Sequence, residues 1–151
     1  MPLKLGNKAP MFTLPDQNGE KVALKDFKGK KVVLYFYPKD LTPGCTTEAC
    51  DFRDASAAFK RKSCVVLGIS RDNVAMHLKF QEKHQLNFSL LADEDGKVCE
   101  KYGVWQEKKL YGKEYLGIVR TTFIIDEAGK IAKIFPKVKV AGHVELVLAE
   151  I

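Results

Sequence analysis

The sequence predicts a fold of the α/β class, in which a β-sheet packs between helices. Apolar runs of strand length alternate with helical patterns along the chain, and a hairpin followed by a helix comes last. The run at residues 32–37, VVLYFY, is β-branched and aromatic without alternation, which is typical of a strand covered on both faces. With 151 residues, 46% of them hydrophobic, the chain is expected to form one domain over residues 1–151 with its own core.

An N-terminal hairpin is predicted beside the main sheet. Extended pieces at residues 11–14 and 21–24 flank Asn18-Gly19, a dipeptide that favours tight hairpin turns. A turn at residues 26–30 then leads into the buried strand. The remaining patterns predict, in order, a helix at 42–61, a strand at 64–70, a helix at 73–84 capped by Asp72 or Asn73, a strand at 88–92, a short helix at 94–102, a hairpin of strands 121–125 and 131–135, and a helix at 144–151.

The most distinctive stretch is the junction between the buried strand and the following helix. Pro38 ends the strand, Thr42 stands at the N-cap position, and Pro43 follows at the first helical position, where its missing N–H costs nothing. Cys45 then falls in the first helical turn. Unpaired backbone N–H groups and the positive end of the helix dipole stabilise a thiolate there, so this junction is the predicted site of chemistry.

A second cysteine, Cys50, lies five residues after Cys45. On a helix this spacing separates the two Cα atoms by roughly 8 to 9 Å and places them on different faces. A disulfide needs a separation of at most about 7 Å, so the pair can form one only if the first turns of the helix unwind. For an isolated C-x4-C, two reduced cysteines packed on an amphipathic helix is the ordinary interpretation, and the spacing alone does not exclude it.

Other site classes fit the cysteines and the charge less well. Zinc ligands usually come as close pairs, whereas Cys64 and Cys99 stand alone and are expected to be buried, inert thiols. The net charge of +6 comes chiefly from lysines in small clusters, and the aromatic residues lie within predicted strands. A solvated basic surface without specific nucleic-acid binding is therefore expected. No signal peptide or membrane-length apolar run is evident, which favours a cytoplasmic protein that does not bind membranes.

Residues 38–45 fit the spacing Pro-x3-Thr-x2-Cys, and the text continues as TPGCTTEACDFRD. This resembles the active-site pattern of the peroxiredoxins, and in particular of the bacterioferritin comigratory protein group, also called PrxQ. In that group the second cysteine follows the first by five positions. The likeness extends through KAPMFTLPDQNG, VLGISRDN, HLKFQEKHQLNFSLLADEDGKVCEKYGVW and GIVRTTFIIDEAGKI. It implies a thioredoxin-like sandwich with a central mixed sheet between helices and an N-terminal hairpin.

The resemblance also implies a thiol peroxidase that needs no metal, haem, flavin or other cofactor. In the implied mechanism the Cys45 thiolate attacks hydrogen peroxide or an organic hydroperoxide and becomes a sulfenic acid. Cys50 then forms an intramolecular disulfide with it, which a thioredoxin-type dithiol reduces. The groups implied to stabilise the departing oxygen or shield the sulfur are the backbone N–H groups of Gly44 and Cys45, the Thr42 hydroxyl, Arg120 and Pro38.

Several alternatives stay open beside this interpretation. By composition alone, Arg120 would form an edge salt bridge or be a snorkelling side chain, and Thr42 would be a plain helix cap. Glu48 is expected to face solvent or pair with a cation, and the histidines His77, His84 and His143 are expected at the surface.

Three rival functions make different predictions that can be tested. A thioredoxin-type disulfide carrier would prefer C-x-x-C, which is absent. A nucleic-acid-associated protein would bind independently of Cys45. A one-cysteine peroxidase would keep turning over after Cys50→Ser. Because both cysteines of the implied disulfide lie on one helix, a monomer is expected.

Overall fold

A five-stranded mixed β-sheet forms the centre of the computed structural model, which describes residues 3–151. Met1 and Pro2, at the start of the predicted domain, lie outside the described residues. The strands are β1 (Thr13–Pro15), β2 (Lys21–Ala23), β3 (Lys31–Phe36), β4 (Cys64–Ser70), β5 (Ser89–Ala92), β6 (Trp105–Leu110), β7 (Lys113–Ile118), β8 (Thr121–Ile125) and β9 (Ile131–Phe135). The helices are α1 (Pro43–Asp54), α2 (Ser56–Arg61), α3 (Val74–His84), α4 (Lys97–Lys101) and α5 (His143–Ala149), with a 3-10 turn at Leu24–Phe27.

The central sheet has the strand order β5-β4-β3-β8-β9. Strands β3, β4 and β5 run parallel, whereas β8 is antiparallel to β3 and β9 is antiparallel to β8. The predicted mixed sheet is therefore confirmed, as is the β8–β9 hairpin. Because β3 lies in the middle of the sheet, it pairs with a strand on each side, and side chains on both of its faces are buried.

Two cores, one on each face of the sheet, explain the unbroken apolar run of β3. One core contains Val32, Leu34 and Phe36, and α4 packs on it through Val98 and Cys99. The other core takes the alternate β3 residues together with side chains from α1, α2, α3 and α5. No helix in residues 3–151 is long and apolar enough to cross a bilayer.

The N-terminal hairpin is confirmed as a separate two-stranded sheet of β1 and β2. Its turn is held by Asp16, whose Oδ1 accepts the backbone N–H groups of Asn18 and Glu20 at 2.8 and 3.0 Å. Gly19 in this turn has φ +78°, a conformation that favours glycine. The Asn-Gly signal therefore predicted the right turn, with strand ends displaced by one or two residues.

The single helix predicted at residues 42–61 is wrong in one respect, since it is two helices that meet at Ala55. Asp54 and Ser56 flank the break, and both residue types compete for backbone hydrogen bonds in turns. The break lets α2 turn so that Phe59 is buried against β4. The part that carries both Cys45 and Cys50 is α1 alone.

The β6–β7 hairpin was not predicted. Its two-residue loop, Tyr111 and Gly112, has φ +51° and +77°, which suits a tight hairpin turn. The strands are largely exposed and rich in charged residues, so they lack the apolar alternation that marks a half-buried strand. The hairpin nevertheless covers one side of the strand ends where the predicted chemistry lies.

Candidate active site

Cys45 occupies the third position of α1, shortly after the carboxyl end of β3. Thr42 is the N-cap residue, with an extended backbone at φ −84° and ψ 153°, and Pro43 is the first helical residue. The first intrahelical bond runs from the Thr46 N–H to the Thr42 carbonyl at 2.9 Å. The N–H groups of Gly44 and Cys45 therefore point out of the helix end without an intrahelical acceptor. Cys45 is only 2% exposed and is a free thiol.

Arg120 reaches the Cys45 sulfur from the neighbouring strand. Phe36, at the end of β3, pairs with Thr121, so the residue before β8 lies at the same edge of the sheet as the start of α1. The Arg120 Nη2 atom donates to Cys45 Sγ at 3.2 Å. A Cβ atom on Gly44 would lie 3.4 Å from the same Nη2 atom, so the absence of a side chain there leaves room for the guanidinium.

Glu48 is the third member of this cluster. Its Oε1 atom accepts a hydrogen bond from Arg120 Nη1 at 2.5 Å, so of the two expected placements the pairing with a cation is the one observed, and the side chain is fully buried. Within residues 3–151, its Oε2 atom has no hydrogen-bond partner. Burial raises the pKa of Glu48 from 4.5 to about 7, and the lowering effect of the Arg120 charge only partly opposes it.

Thr42 and Pro38 lie on the turn that joins β3 to α1. Thr42 is the N-cap residue, as predicted, but its hydroxyl donates to the Lys39 carbonyl at 2.8 Å and does not cap α1, so the alternative interpretation as a plain side-chain cap is wrong. Pro38 is half-buried and borders a cavity of about 440 Å³ whose walls also include Trp105 and Lys108. This cavity opens between the turn and the β6–β7 hairpin.

Lys108 is a residue near the site that sequence analysis missed, because it belongs to the hairpin that was not predicted. Its Nζ atom donates to the Ile118 carbonyl at 2.9 Å. Burial, together with the positive charge of Arg120, lowers the pKa of Lys108. A second cation therefore faces the same small region as Arg120.

The other three cysteines have different surroundings. Cys50 is half-buried on α1, and the helix between it and Cys45 is intact, as expected for the reduced protein. Cys64 and Cys99 are buried, as expected. Burial raises the pKa of the Cys64 thiol to about 11. Burial, followed by the hydrogen bond with Asp93, raises the pKa of the Cys99 thiol well above its usual range.

Two histidines expected at the surface are buried, and that expectation was wrong. His143 is 3% exposed, and its Nε2 atom forms a 2.8 Å hydrogen bond with the Thr122 hydroxyl. Burial, with a smaller contribution from the Arg120 charge, lowers the pKa of His143 to about 4. His77 is completely buried and forms hydrogen bonds with Asp40 and the Leu91 carbonyl. The sequence around each histidine does not reveal that its side chain faces inward.

Comparison with known proteins agrees with this geometry. Residues 5–134 match the family model described as AhpC/TSA. The chain is 53% identical to peroxiredoxin Bcp of Bacillus subtilis (strain 168), over 95% of this chain and 92% of that one.

Two solved structures are also similar. A cysteine-to-serine mutant of PrxQ from Xylella fastidiosa superposes with a TM-score of 0.94 at 35% identity, over 99% of this chain and 95% of that one. The bacterioferritin comigratory protein of Xanthomonas campestris, studied for its alkyl peroxide reduction activity, gives a TM-score of 0.87 at 41% identity, over 91% and 88%. The thioredoxin-like architecture implied by the sequence is confirmed by these likenesses. With a buried thiol at a helix N-terminus beside an arginine, and with relatives matched over nearly the whole chain, the protein belongs to the AhpC/TSA family and is a thiol peroxidase of the PrxQ/Bcp peroxiredoxins.

Proposed function

We propose that Cys45 is the thiol that attacks the peroxide. The observation that carries this assignment is the 3.2 Å hydrogen bond from Arg120 Nη2 to Cys45 Sγ, at a helix end whose N–H groups lack intrahelical acceptors. A guanidinium and a helix N-terminus both favour the thiolate over the neutral thiol. Among the four cysteines, only Cys45 combines these two features with a position at the carboxyl ends of the strands.

In the attack step, a lone pair of the Cys45 thiolate forms a bond to the terminal hydroxyl oxygen of the hydroperoxide, and the O–O bond breaks. Cys45 becomes a sulfenic acid, and the departing alkoxide or hydroxide takes up a proton to leave as alcohol or water. Arg120 and the N–H groups of Gly44 and Cys45 are positioned to stabilise charge on the oxygen that leaves.

Thr42 has a more specific role than charge stabilisation. Its hydroxyl proton goes to the Lys39 carbonyl, which leaves the Oγ1 lone pairs to accept a hydrogen bond. An organic hydroperoxide has one hydroxyl group, so Thr42 orients the peroxide by accepting a hydrogen bond from that group while Arg120 donates a hydrogen bond to the peroxide. Pro38 limits the access of water to this region from the side of the cavity.

Cys50 resolves the sulfenic acid. Its thiolate attacks the Cys45 sulfur, a Cys45–Cys50 disulfide forms, and hydroxide leaves as water after protonation. An intact helix holds residues five apart too far from each other for this bond, so the first turns of α1 unwind before it forms. Since both sulfurs belong to one helix, a monomer suffices for the cycle.

The substrate and the reductant follow from the same chemistry. The Xanthomonas campestris relative is associated with alkyl peroxide reduction, so organic hydroperoxides as well as hydrogen peroxide are the proposed substrates. A Cys45–Cys50 disulfide is reduced by a dithiol, and a thioredoxin in the cytoplasm is the proposed donor. Neither thiol step requires a cofactor.

Peroxide consumption by matched cysteine variants tests this cycle. We expect Cys45→Ser to abolish consumption and Cys64→Ala to keep the wild-type rate. With thioredoxin as reductant, Cys50→Ser should reduce one equivalent of peroxide per protein and stop. Continued turnover of Cys50→Ser would instead establish a one-cysteine mechanism, and activity in Cys45→Ser would refute the assignment of the nucleophile.

A further inference from the structure

A buried polar cluster holds the turn between β3 and α1. Asp40, in the middle of this turn, is 2% exposed, and His77 on α3 is fully buried. The Asp40 Oδ2 and His77 Nδ1 atoms form a 2.5 Å hydrogen bond. The Tyr37 hydroxyl donates to the other carboxylate oxygen, Oδ1, also at 2.5 Å. Both oxygens of the Asp40 carboxylate are therefore held by residues of two different elements.

The hydrogen bond of the other ring nitrogen of His77, Nε2, indicates which nitrogen atoms carry protons. Its Nε2 atom is 2.9 Å from the Leu91 carbonyl, which can only accept, so Nε2 carries a proton. The short contact between Nδ1 and the Asp40 carboxylate requires a second proton between those two atoms. His77 Nδ1 and Asp40 Oδ2 therefore share one proton in a short hydrogen bond.

The backbone of Asp40 is fixed as well. Its N–H group donates to Asp72 Oδ2 at 2.8 Å, and the same oxygen accepts the Ser70 hydroxyl at 2.6 Å at the end of β4. Asp40 is thereby tied to β4 through its backbone and to α3 through its side chain. Burying ionisable groups is costly, so a buried pair of this kind is weak evidence for a stabilising role alone.

A short covalent path leads from Asp40 to the reacting groups. The preceding residue, Lys39, supplies the carbonyl that accepts the Thr42 hydroxyl at 2.8 Å. The following residue, Leu41, has φ +64°, a conformation that is strained for a residue with a side chain. This strained residue lies between the fixed Asp40 and Thr42, the N-cap of the helix that carries Cys45. The direction of Thr42 therefore depends on how firmly Asp40 is held.

We propose that Asp40 and His77 are positioning residues of the peroxide reaction. They clamp the turn so that Thr42 accepts a hydrogen bond from the peroxide hydroxyl on the correct side of the Cys45 sulfur, and they touch neither sulfur nor peroxide themselves. The inference rests on the role proposed above for Cys45. It assigns His77 a role in the oxidation of Cys45 and none in the reduction of the disulfide. During reduction α1 is unwound, and Thr42 has no peroxide to orient.

Two substitutions of His77 distinguish a positioning role through Asp40 from simple packing of the side chain. In His77→Asn, the amide nitrogen takes the place of Nδ1 and can donate to Asp40, but the bond to Leu91 is lost. In His77→Gln, the longer amide can donate to the Leu91 carbonyl, but the bond to Asp40 is lost. Each variant keeps one of the two hydrogen bonds, so a difference between them reports on the link to Asp40.

The two half-reactions are measured separately in single-turnover stopped-flow experiments, with the fluorescence of Trp105, the one tryptophan of the chain. We expect His77→Gln and Asp40→Asn to oxidise with peroxide at least about tenfold more slowly than wild type, as misplaced reacting groups do. His77→Asn should stay within about threefold of wild type, because the donor to Asp40 is restored. Reduction of the preformed disulfide by thioredoxin should be unchanged in all three.

Control variants make each outcome decisive. Asp93→Ala removes another buried carboxylate, whose oxygens accept the Val98 and Cys99 N–H groups of α4, and should lower the melting temperature without slowing oxidation. Equal oxidation rates in His77→Asn and His77→Gln, or equal slowing of both half-reactions, would refute the positioning role.

Two further measurements test whether the cluster is instead a cation site and whether Cys45 is the nucleophile. Stabilisation of the wild type, but not of Asp40→Asn, by added zinc would show that Asp40, Asp72 and His77 form a cation site, and it would also overturn the proposal. Activity that survives in Cys45→Ser would refute the proposed nucleophile itself.

Discussion

Cys45 and Cys99 occupy the same position in two helices of this protein, and their surroundings are opposite. Each is the third residue of its helix, α1 for Cys45 and α4 for Cys99, and each is almost fully buried. At α4, the Asp93 carboxylate accepts the N–H groups of Val98 and Cys99 at 3.2 and 2.8 Å. At α1, the N-cap side chain does not cap the helix, and Arg120 donates to the sulfur instead.

The difference shows that a helix N-terminus alone does not make a cysteine reactive. Where a carboxylate takes the free N–H groups, its charge opposes a thiolate, and burial together with Asp93 raises the pKa of Cys99. Where the N–H groups stay available and a guanidinium faces the sulfur, a thiolate and an incoming peroxide can both be bound. The carboxylate of Glu48, one turn after Cys45, is engaged by Arg120.

The largest expected difference is in the rate of Cys45 oxidation, between variants that lack Arg120 at the start of α1 and a variant that lacks Arg71 near the start of α4. Arg120→Ala should lower the second-order rate of Cys45 oxidation by about 10²- to 10³-fold, the usual cost of one donor to a developing charge. Arg120→Lys should recover only part of this loss, because an ammonium group cannot bond the sulfur and Glu48 with a planar fork. Arg71→Ala is the control, because Arg71 lies against Gly96 at the start of α4. A slowed Arg71→Ala, or an unaffected Arg120→Ala, would remove the distinction between the two helix ends.

The pH dependence of stability tests the Glu48 carboxylate at the end of α1 that carries Cys45. Since folding raises the pKa of Glu48 from 4.5 to about 7, the folded protein binds this proton more tightly than the unfolded chain. The resulting stability is fully present below about pH 4.5 and is lost as the pH rises through about 7. Relative to Glu48→Gln, wild type should therefore lose on the order of 3 kcal/mol of unfolding free energy between these pH values.

Denaturant unfolding of wild type and Glu48→Gln at several pH values measures this difference. Comparing the two proteins is necessary because His143 has the opposite effect, with a pKa lowered to about 4, so its contribution grows as the pH rises from about 4 to 6.5. His143 is the same in both proteins and cancels in the difference. Parallel stability curves for the two proteins would show that folding does not raise the pKa of Glu48.

Removing the cap of α4 should affect stability but not catalysis. Asp93→Ala leaves the N–H groups of Val98 and Cys99 without their acceptor, which should cost roughly 1 to 3 kcal/mol of unfolding free energy. Thermal or denaturant unfolding measures the loss, and the oxidation rate of Cys45 should equal that of wild type. A slowed oxidation would mean that the two helix ends are coupled through the sheet.

Gly44→Ala should have the smallest effect of these variants. The free energy of unfolding should rise slightly, and the rate of Cys45 oxidation should fall. Alanine favours a helix over glycine by about 1 kcal/mol, so the variant should be slightly more stable. The added Cβ atom would lie 3.4 Å from Arg120 Nη2, so a small shift of the guanidinium should slow oxidation by a few-fold at most. A rate equal to wild type would show that Arg120 has more room than its contacts suggest.

Local patterns in the sequence were enough to predict β3, the start of α1 and the place of Cys45. The turn, the N-cap and the first helical proline are close together in the chain, so their meaning does not depend on the rest of it. Most of the order of strands and helices around them followed from apolar periodicity, and the family resemblance supplied Arg120.

Features that depend on distant residues could not be predicted in this way. Glu48 looks like an exposed helix residue until Arg120 is brought to it from 72 positions away. The sequence around His77 and His143 does not indicate which way their side chains point, and only the packed sheet shows that they face inward. The β6–β7 hairpin buries little of its own surface, and Tyr111 stands in its turn where asparagine or aspartate would have marked a hairpin.

The most direct test of the contrast between the two helix ends is site-resolved mass spectrometry of the reduced protein after one equivalent of hydroperoxide, digested without reductant. We predict a single cross-linked product that joins Cys45 to Cys50, with Cys99 and Cys64 still free thiols. Oxidation of Cys99 at a comparable rate, or an unmodified Cys45 after the peroxide has been consumed, would contradict the conclusion that the arginine and the uncapped helix end make Cys45 the reactive thiol.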